Sequence, residues 1–267
     1  MKKNNVPIIC QGIRQKIIEI AFKNKGSHIG CSLGIVEILV SLYFNVLKID
    51  PQIPDGKKRD RFILSKGHAC LALYATLAKR GFFAEEKLDS YFTNGSNIAG
   101  HITLGSLPGL EATAGSLGHG LSIGLGIAIA ETYQKTGAKV FVLAGDGECE
   151  EGSVWEAIMY AGNHNINNLI LIIDYNNLQI MGKPSEISGL DNLADKIKAF
   201  GWNTVSVNGH NIDELNAILS QKNNRPLAVI AKTTKGKGVS FMENQAEWHS
   251  KPLNDEDYQK AMEELKL

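Results

Sequence analysis

Short apolar runs alternate along this chain with longer stretches of helical periodicity. Residues 61–64, 140–144, 169–173, 204–207 and 227–231 are short and rich in Val, Ile, Leu and Phe, and they predict strands. Residues 8–22 place Ile8, Ile9, Ile13, Ile17, Ile20 and Ala21 at three- and four-residue spacing, which predicts an amphipathic helix. Further helices are expected at 35–47, 69–80, 116–133, 154–163, 191–200, 212–220 and 255–265. The last begins after Asn254 with Asp257 three residues on, an approximate capping box. Strand, helix, strand within about 30 residues is the size of a right-handed parallel unit. The repeated alternation predicts an α/β fold: one doubly wound, mainly parallel sheet with helices on both faces. Neither an internal repeat nor a low-complexity linker breaks the chain, so a single domain is expected over 1–267.

Ligands bind such sheets outside the carboxyl ends of the strands. The run at 140–144 ends in Gly145-Asp146-Gly147, and the run at 169–173 ends in Asp174-Tyr175-Asn176-Asn177. Asp146 and Asn176 are therefore expected side by side. A carboxylate and an amide oxygen with vacant positions suit a magnesium ion completed by a diphosphate and water. Lys66 and His68 follow the first strand at a helix start, where backbone amides can hold an anion. The stretch 82–116 is Gly-rich and irregular with His101 at its middle, which reads as a functional loop. Residues 24–30, with Gly26 and Gly30 flanking His28, read as a tight loop. Gly118, Gly120, Gly124 and Gly126 lie within the expected helix at 116–133, which implies close approach of another backbone or a cofactor. The Gly/Lys stretch at 233–240 does not fit a P-loop, and Gly124-Leu125-Gly126 is not a dinucleotide fingerprint.

Charge and composition then narrow the field. The chain has 267 residues and no net formal charge, so no nucleic-acid partner is suggested. Cys10, Cys31, Cys70 and Cys149 are scattered without a CxxC spacing. This fits a reducing compartment and argues against a structural zinc site. No apolar run reaches membrane-spanning length. A cytoplasmic protein is expected.

GDG followed at this distance by NN resembles the thiamine diphosphate motif. The longer pattern resembles transketolase: SKGHA at 65–69, GSLGHG at 115–120, GDGECEEG at 145–152, KTTKGKG at 232–238 and EWHSKPL at 247–253. The resemblance runs through nearly the whole chain in family order. It implies the diphosphate-binding domain of a thiamine diphosphate enzyme. Asp146 and Asn176 would ligate Mg²⁺ or Ca²⁺ through side chains, and Leu178 through its carbonyl. His68, Gly115, Leu117, Gly147, Glu151, Lys235 and His249 would line the cofactor. The family chemistry moves a two-carbon ketol unit from a ketose donor to an aldose acceptor, both commonly phosphorylated, as in the pentose phosphate pathway. His28 and His249 would face the donor's C3 hydroxyl, and His101 its C1 hydroxyl and developing oxyanion. His28, His68, His101 and His249 are thus the expected catalytic set, since proton transfer near neutrality suits imidazole.

The pattern departs from complete transketolases in what it lacks. Their pyrimidine-binding domain, which carries the glutamate that activates the cofactor, and their C-terminal domain do not fit into this length. A partner subunit is expected to supply them, in an assembly of two copies of each chain. Glu151 matches a family interface glutamate. His119 stands where many members have glutamine, and Ile180 where animal members are often polar. Three alternatives stay open: a subunit of another thiamine diphosphate enzyme, such as pyruvate dehydrogenase or deoxyxylulose phosphate synthase; an enzyme of unphosphorylated sugars; and a non-catalytic paralogue.

Overall fold

Continuous apolar runs are what the middle of a parallel sheet requires, because both of its faces are covered. The computed structural model describes residues 5–179, 182 and 192–266, and in it five strands lie side by side. β1 (Arg61–Leu64), β2 (Val140–Gly145), β3 (Leu169–Tyr175), β4 (Asn203–Asn208) and β5 (Leu227–Lys232) run in the order β1-β2-β3-β5-β4. Every pairing is parallel. Gly145 pairs with Asp174 and Tyr175 with Lys232, so the carboxyl ends of the three central strands are level. The polar strand β4 occupies an edge, as its Asn, Thr and Ser content suits.

Side chains alternate between two cores. Phe62, Leu64, Phe141, Leu143, Ile170 and Ile172 face one; Ile63, Val140, Val142, Ala144, Leu171 and Ile173 face the other. The first core is covered by α1 (Val6–Lys23), α2 (Ile29–Leu33), α3 (Val36–Ser41) and α4 (Cys70–Arg80). The second is covered by α5 (His119–Tyr133), α6 (Gly152–Asn163) and α7 (Leu193–Ala199). Then α8 (Ile212–Leu219) and α9 (Asp255–Glu264) return to the first. The expected doubly wound sheet is therefore present. Among the described residues, no helix is long and apolar enough to cross a membrane.

The elements differ from the expected ones in instructive places. Residues 24–30 are not all loop: α2 begins at Ile29. Its glycines are there for packing. A Cβ on Gly30 would stand 3.1 Å from the Trp248 carbonyl, and one on Gly34, just past α2, 3.0 Å from the Thr234 carbonyl. The helix expected over 35–47 is α3 followed by one wide π-type turn at Leu42–Val46, closed by Leu47 N–H to the Leu42 carbonyl at 2.8 Å. The helix expected from 116 starts only at His119, because Gly118 sits at φ 84°. The capping box of Asn254 and Asp257 is formed, with Asp257 N–H 2.8 Å from Asn254 Oδ1. Asp191 and Ile180 lie outside the described residues.

Close approach explains some helix glycines and not others. Gly124 rests on Val142 of β2, and a Cβ on Gly120 would come within 2.8 Å of the Ser65 backbone. Gly126 meets nothing within 4 Å. A Cβ on Gly162 would overlap the Phe200 carbonyl. Gly162→Ala should thus destabilise the chain by about 1–3 kcal/mol through overpacking. Gly126→Ala should stabilise it by up to about 1 kcal/mol through helix propensity. Urea unfolding of the two purified variants beside wild type checks both signs.

Candidate active site

The level strand ends release four loops into one crevice. Ser65–His68 follow β1, Asp146 and Gly147 follow β2, Asn176–Leu178 follow β3, and Thr233–Lys235 follow β5. A cavity of about 440 Å³ opens there. All the residues assigned from sequence to metal, cofactor or catalysis lie on its wall: His28, His68, His101, Gly115, Leu117, Asp146, Gly147, Glu151, Asn176, Leu178, Lys235 and His249. A larger hollow of about 850 Å³ lies beside α1, near Arg14, Glu37 and His210. Those three are already joined, by Arg14–Glu37 at 2.8 Å and His210–Glu37 at 2.9 Å. The unspent chemistry is in the smaller cavity.

One end of it is built of hard oxygens. Asp146 Oδ1 accepts from Gly147 N–H at 2.8 Å and Oδ2 from Asn177 N–H at 2.7 Å, which ties the β2 loop to the β3 loop. Among the described residues, no cation pairs with this carboxylate. Burial, and then the neighbouring Asp174 charge, pushes it up to about 6. Asn176 Oδ1 accepts from Leu178 N–H at 3.1 Å, and the Leu178 carbonyl accepts from Lys235 Nζ at 2.8 Å. Each of these oxygens keeps a free lone pair. A buried carboxylate lacking a counter-charge, beside an amide oxygen and a carbonyl, fits a small divalent cation.

Beneath it lies a buried ion pair that the sequence reading did not single out. Lys66 Nζ donates to Asp174 Oδ2, with both side chains at most 2% exposed. Burial alone would lower the Lys66 ammonium, but Asp174 holds it above its ordinary value. Thr233 donates to the other Asp174 oxygen, and Asn176 Nδ2 donates to Oδ2 at 3.0 Å. Lys66 is thus engaged with Asp174, a correction to its expected role as an open anion holder. Glu148 is likewise internal. It accepts from Ser65, from Gly118 N–H at 2.8 Å and from Gly145 N–H at 3.1 Å. Asp174 ended an apolar run and read only as the residue after a strand core. Its signal was the lysine just past the end of the first run, one strand removed from it in the sheet.

The other end holds imidazoles. The His28 ring centroid lies 5.3 Å from that of His68, 5.7 Å from His101 and 5.4 Å from His249. Those rings come from four distant segments. His28 itself sits in the left-handed region, φ 61° and ψ 31°, at the start of α2. Histidine is one of the few side chains other than glycine that adopt this conformation readily. Burial and then the facing cations lower three of the histidines: His28, His68 far below the usual range, and His249 to about 3. They are neutral at physiological pH, so each ring keeps one nitrogen lone pair to accept a hydrogen bond. His249 Nδ1 lies 3.2 Å from Lys235 Nζ and 3.5 Å from Cys31 Sγ. Cys31 was not expected here; only the fold brings it in. His101, Leu117 and Glu151 are exposed, so the cavity is open on that side.

The chain matches the family model for the transketolase thiamine diphosphate-binding domain over residues 8–267. It is 41% identical to an apulose-4-phosphate transketolase subunit of Phocaeicola vulgatus, across 94% of this chain and 90% of that protein. It is 40% identical to the 6-deoxy-6-sulfo-D-fructose transketolase subunit SqwG of Clostridium sp. strain MSTE9, across 95% and 93%. Among solved structures, transketolase from Campylobacter jejuni superposes with a TM-score of 0.90 at 30% identity, across 99% of this chain and 43% of that one. The chain therefore spans about two fifths of the length of that transketolase.

Removing one partner of a buried ion pair strands the other charge, at a cost of about 3–5 kcal/mol. Asp174 keeps two other donors, so Lys66→Ala should fall at or below the lower end of that range. Urea unfolding of the isolated chain measures it; a loss below about 0.5 kcal/mol would mean the pair is not holding the strand ends.

Proposed function

This chain belongs to the transketolase family, and we propose that it is the cofactor-binding subunit of a split transketolase, acting with a separate partner chain. The observation that carries this reading is the cavity itself. Hard oxygens stand at one end, a convergence of imidazoles at the other, and one side is open.

In this reading Asp146, Asn176 and the Leu178 carbonyl hold Mg²⁺ or Ca²⁺, which anchors the diphosphate of thiamine diphosphate. Gly147 and Gly115 leave room beside it, Leu117 and His68 flank it, and Lys235 adds positive charge. When bound, the cofactor supplies a nucleophilic carbon for a ketose carbonyl. The donor's C3 hydroxyl loses a proton as its C2–C3 bond breaks; His28 and His249 would face that hydroxyl, with His28 the base and His249, lowered to about 3, a hydrogen-bond partner. His101, on the open side, can donate to the oxygen on C2 where charge develops. A two-carbon ketol unit is thereby transferred from a ketose to an aldose.

The partner would supply the pyrimidine-binding and C-terminal domains, with Glu151 facing it from the open side. The exposed surface of α5 and α6 supports association. Ile123, Ile129, Met159 and Tyr160 are 38–53% exposed there. A helix apolar on its outer as well as its inner face implies a second contact. An assembly of two copies of each chain follows from this reading. The similar proteins are named for apulose 4-phosphate and 6-deoxy-6-sulfo-D-fructose, both carrying an anionic group, so a ketose with an anionic tail is the proposed donor.

Purified alone, the full chain with thiamine diphosphate and Mg²⁺ should show no ketol transfer from ketose phosphates, and the co-expressed partner should restore it. Substantial turnover by a partner-free preparation would sink the split-enzyme reading. Asp146→Ala should abolish Mg²⁺-dependent thiamine diphosphate binding in the assembled enzyme, because the carboxylate is the sole anionic ligand proposed. Calorimetry showing unchanged affinity would remove Asp146 from the metal site.

A further inference from the structure

The imidazole end of the cavity contains a second set of donors, chemically unlike the first. Cys31 Sγ, one nitrogen of His68 and one of His249 all lie within 4.8 Å of one another. They come from α2, from the turn before α4 and from the segment before α9. A thiol and two imidazoles are a poor set for Mg²⁺ and a good one for a borderline-soft cation. We propose that Cys31, His68 and His249 form a binding site for Zn²⁺ or a cation of its class, with water completing the tetrahedron.

The geometry favours it. Zn–S bonds of about 2.3 Å and Zn–N bonds of about 2.0–2.1 Å put tetrahedral donors roughly 3.3–3.7 Å apart. Cys31 Sγ and His249 Nδ1 already stand at 3.5 Å, and the remaining donors, within 4.8 Å of one another, need to close by at most about 1.5 Å. Cys31, raised by burial, gives up its thiol proton on binding, and its sulfur donates the electron pair, so no oxidant enters. Lys235 faces the same His249 nitrogen and its charge opposes a cation there, so it must turn away onto the Leu178 carbonyl, now at 2.8 Å, when that lone pair goes to the metal. A zinc ion here takes His68 and His249 away from any other task. The site makes the cavity sensitive to inhibition by thiophilic metals; this consequence, unlike the binding itself, rests on the cofactor reading above.

Titrating the full chain with Co²⁺ as spectroscopic probe tests the site. One equivalent should produce tetrahedral visible bands and an intense near-ultraviolet sulfur-to-cobalt band, and Zn²⁺ should abolish both. Cys31→Ala should lose the sulfur band and weaken Zn²⁺ binding at least about tenfold. Cys31→Ser, which keeps the side chain's size, should do the same; circular dichroism confirms that the variants are folded. No sulfur band in wild type, or an unchanged one in either folded variant, overturns the proposal. Thiamine diphosphate with Mg²⁺ should then diminish the cobalt bands. If it binds the metal-free chain yet leaves them intact, the inhibition is wrong. A chain that takes cobalt in this way but never thiamine diphosphate, alone or with its partner, contradicts the cofactor reading instead.

Discussion

The Asp174 carboxylate is the knot at which the strand ends are tied. It stands at 1% exposure beside the last residue of the central strand β3. Lys66 reaches it from the end of β1, Thr233 from the end of β5, and Asn176 from its own loop. Its backbone carbonyl accepts from Asp146 N–H at 3.2 Å, which brings in β2. A charge this deep is tolerable only when paired and fully hydrogen-bonded. Each of those partners therefore has one position open to it, and the loops that carry the cavity's chemistry inherit that order.

The same arrangement sorts the charges of the cavity. Asp174 neutralises Lys66, which leaves Lys235 as a cation close to the imidazoles. It is lowered by burial and lies against a carbonyl and a neutral ring. Asp146 is a carboxylate raised by the same burial. A divalent cation would relieve Asp146 and oppose Lys235, whereas a diphosphate would oppose Asp146 and favour Lys235. Only a cation and a polyanion together satisfy both ends, which is the electrostatic logic behind the proposed magnesium diphosphate.

Much of this was legible in the chain. The apolar runs marked the five strands, and the rule that ligands sit beyond parallel strand ends placed Asp146 beside Asn176 before any tertiary contact was known. Convergence of His28, His68, His101 and His249 was not legible from local pattern. It came from the family motifs, because residues this far apart share a cavity only through topology. Glycine misled where it served packing. Gly30 read as loop punctuation, yet it and Gly34 are bare so that the segment around α2 can lie against Thr234 and Trp248. Asp174 and Cys31 were missed for one reason. A carboxylate after an apolar run and a lone cysteine on a short helix carry no periodic signal, and each acquires its meaning from strands or loops distant in sequence.

What the chain leaves exposed is as informative as what it buries. Gly120 and Gly124 of α5 let the helix lie close on β1 and β2, while Gly126 faces open space beside Ile123 and Ile129. The inner glycines are accounted for within this chain; the outer one is not. The open side of the cavity has the same character, since His101, Leu117 and Glu151 stand exposed while Asp146 is buried. An apolar helix face and an unroofed cavity in one chain both ask for further protein surface. Covering the two with a partner would bury apolar area and remove water from the imidazoles in one association. Assembly and the completion of the cavity would then be a single event.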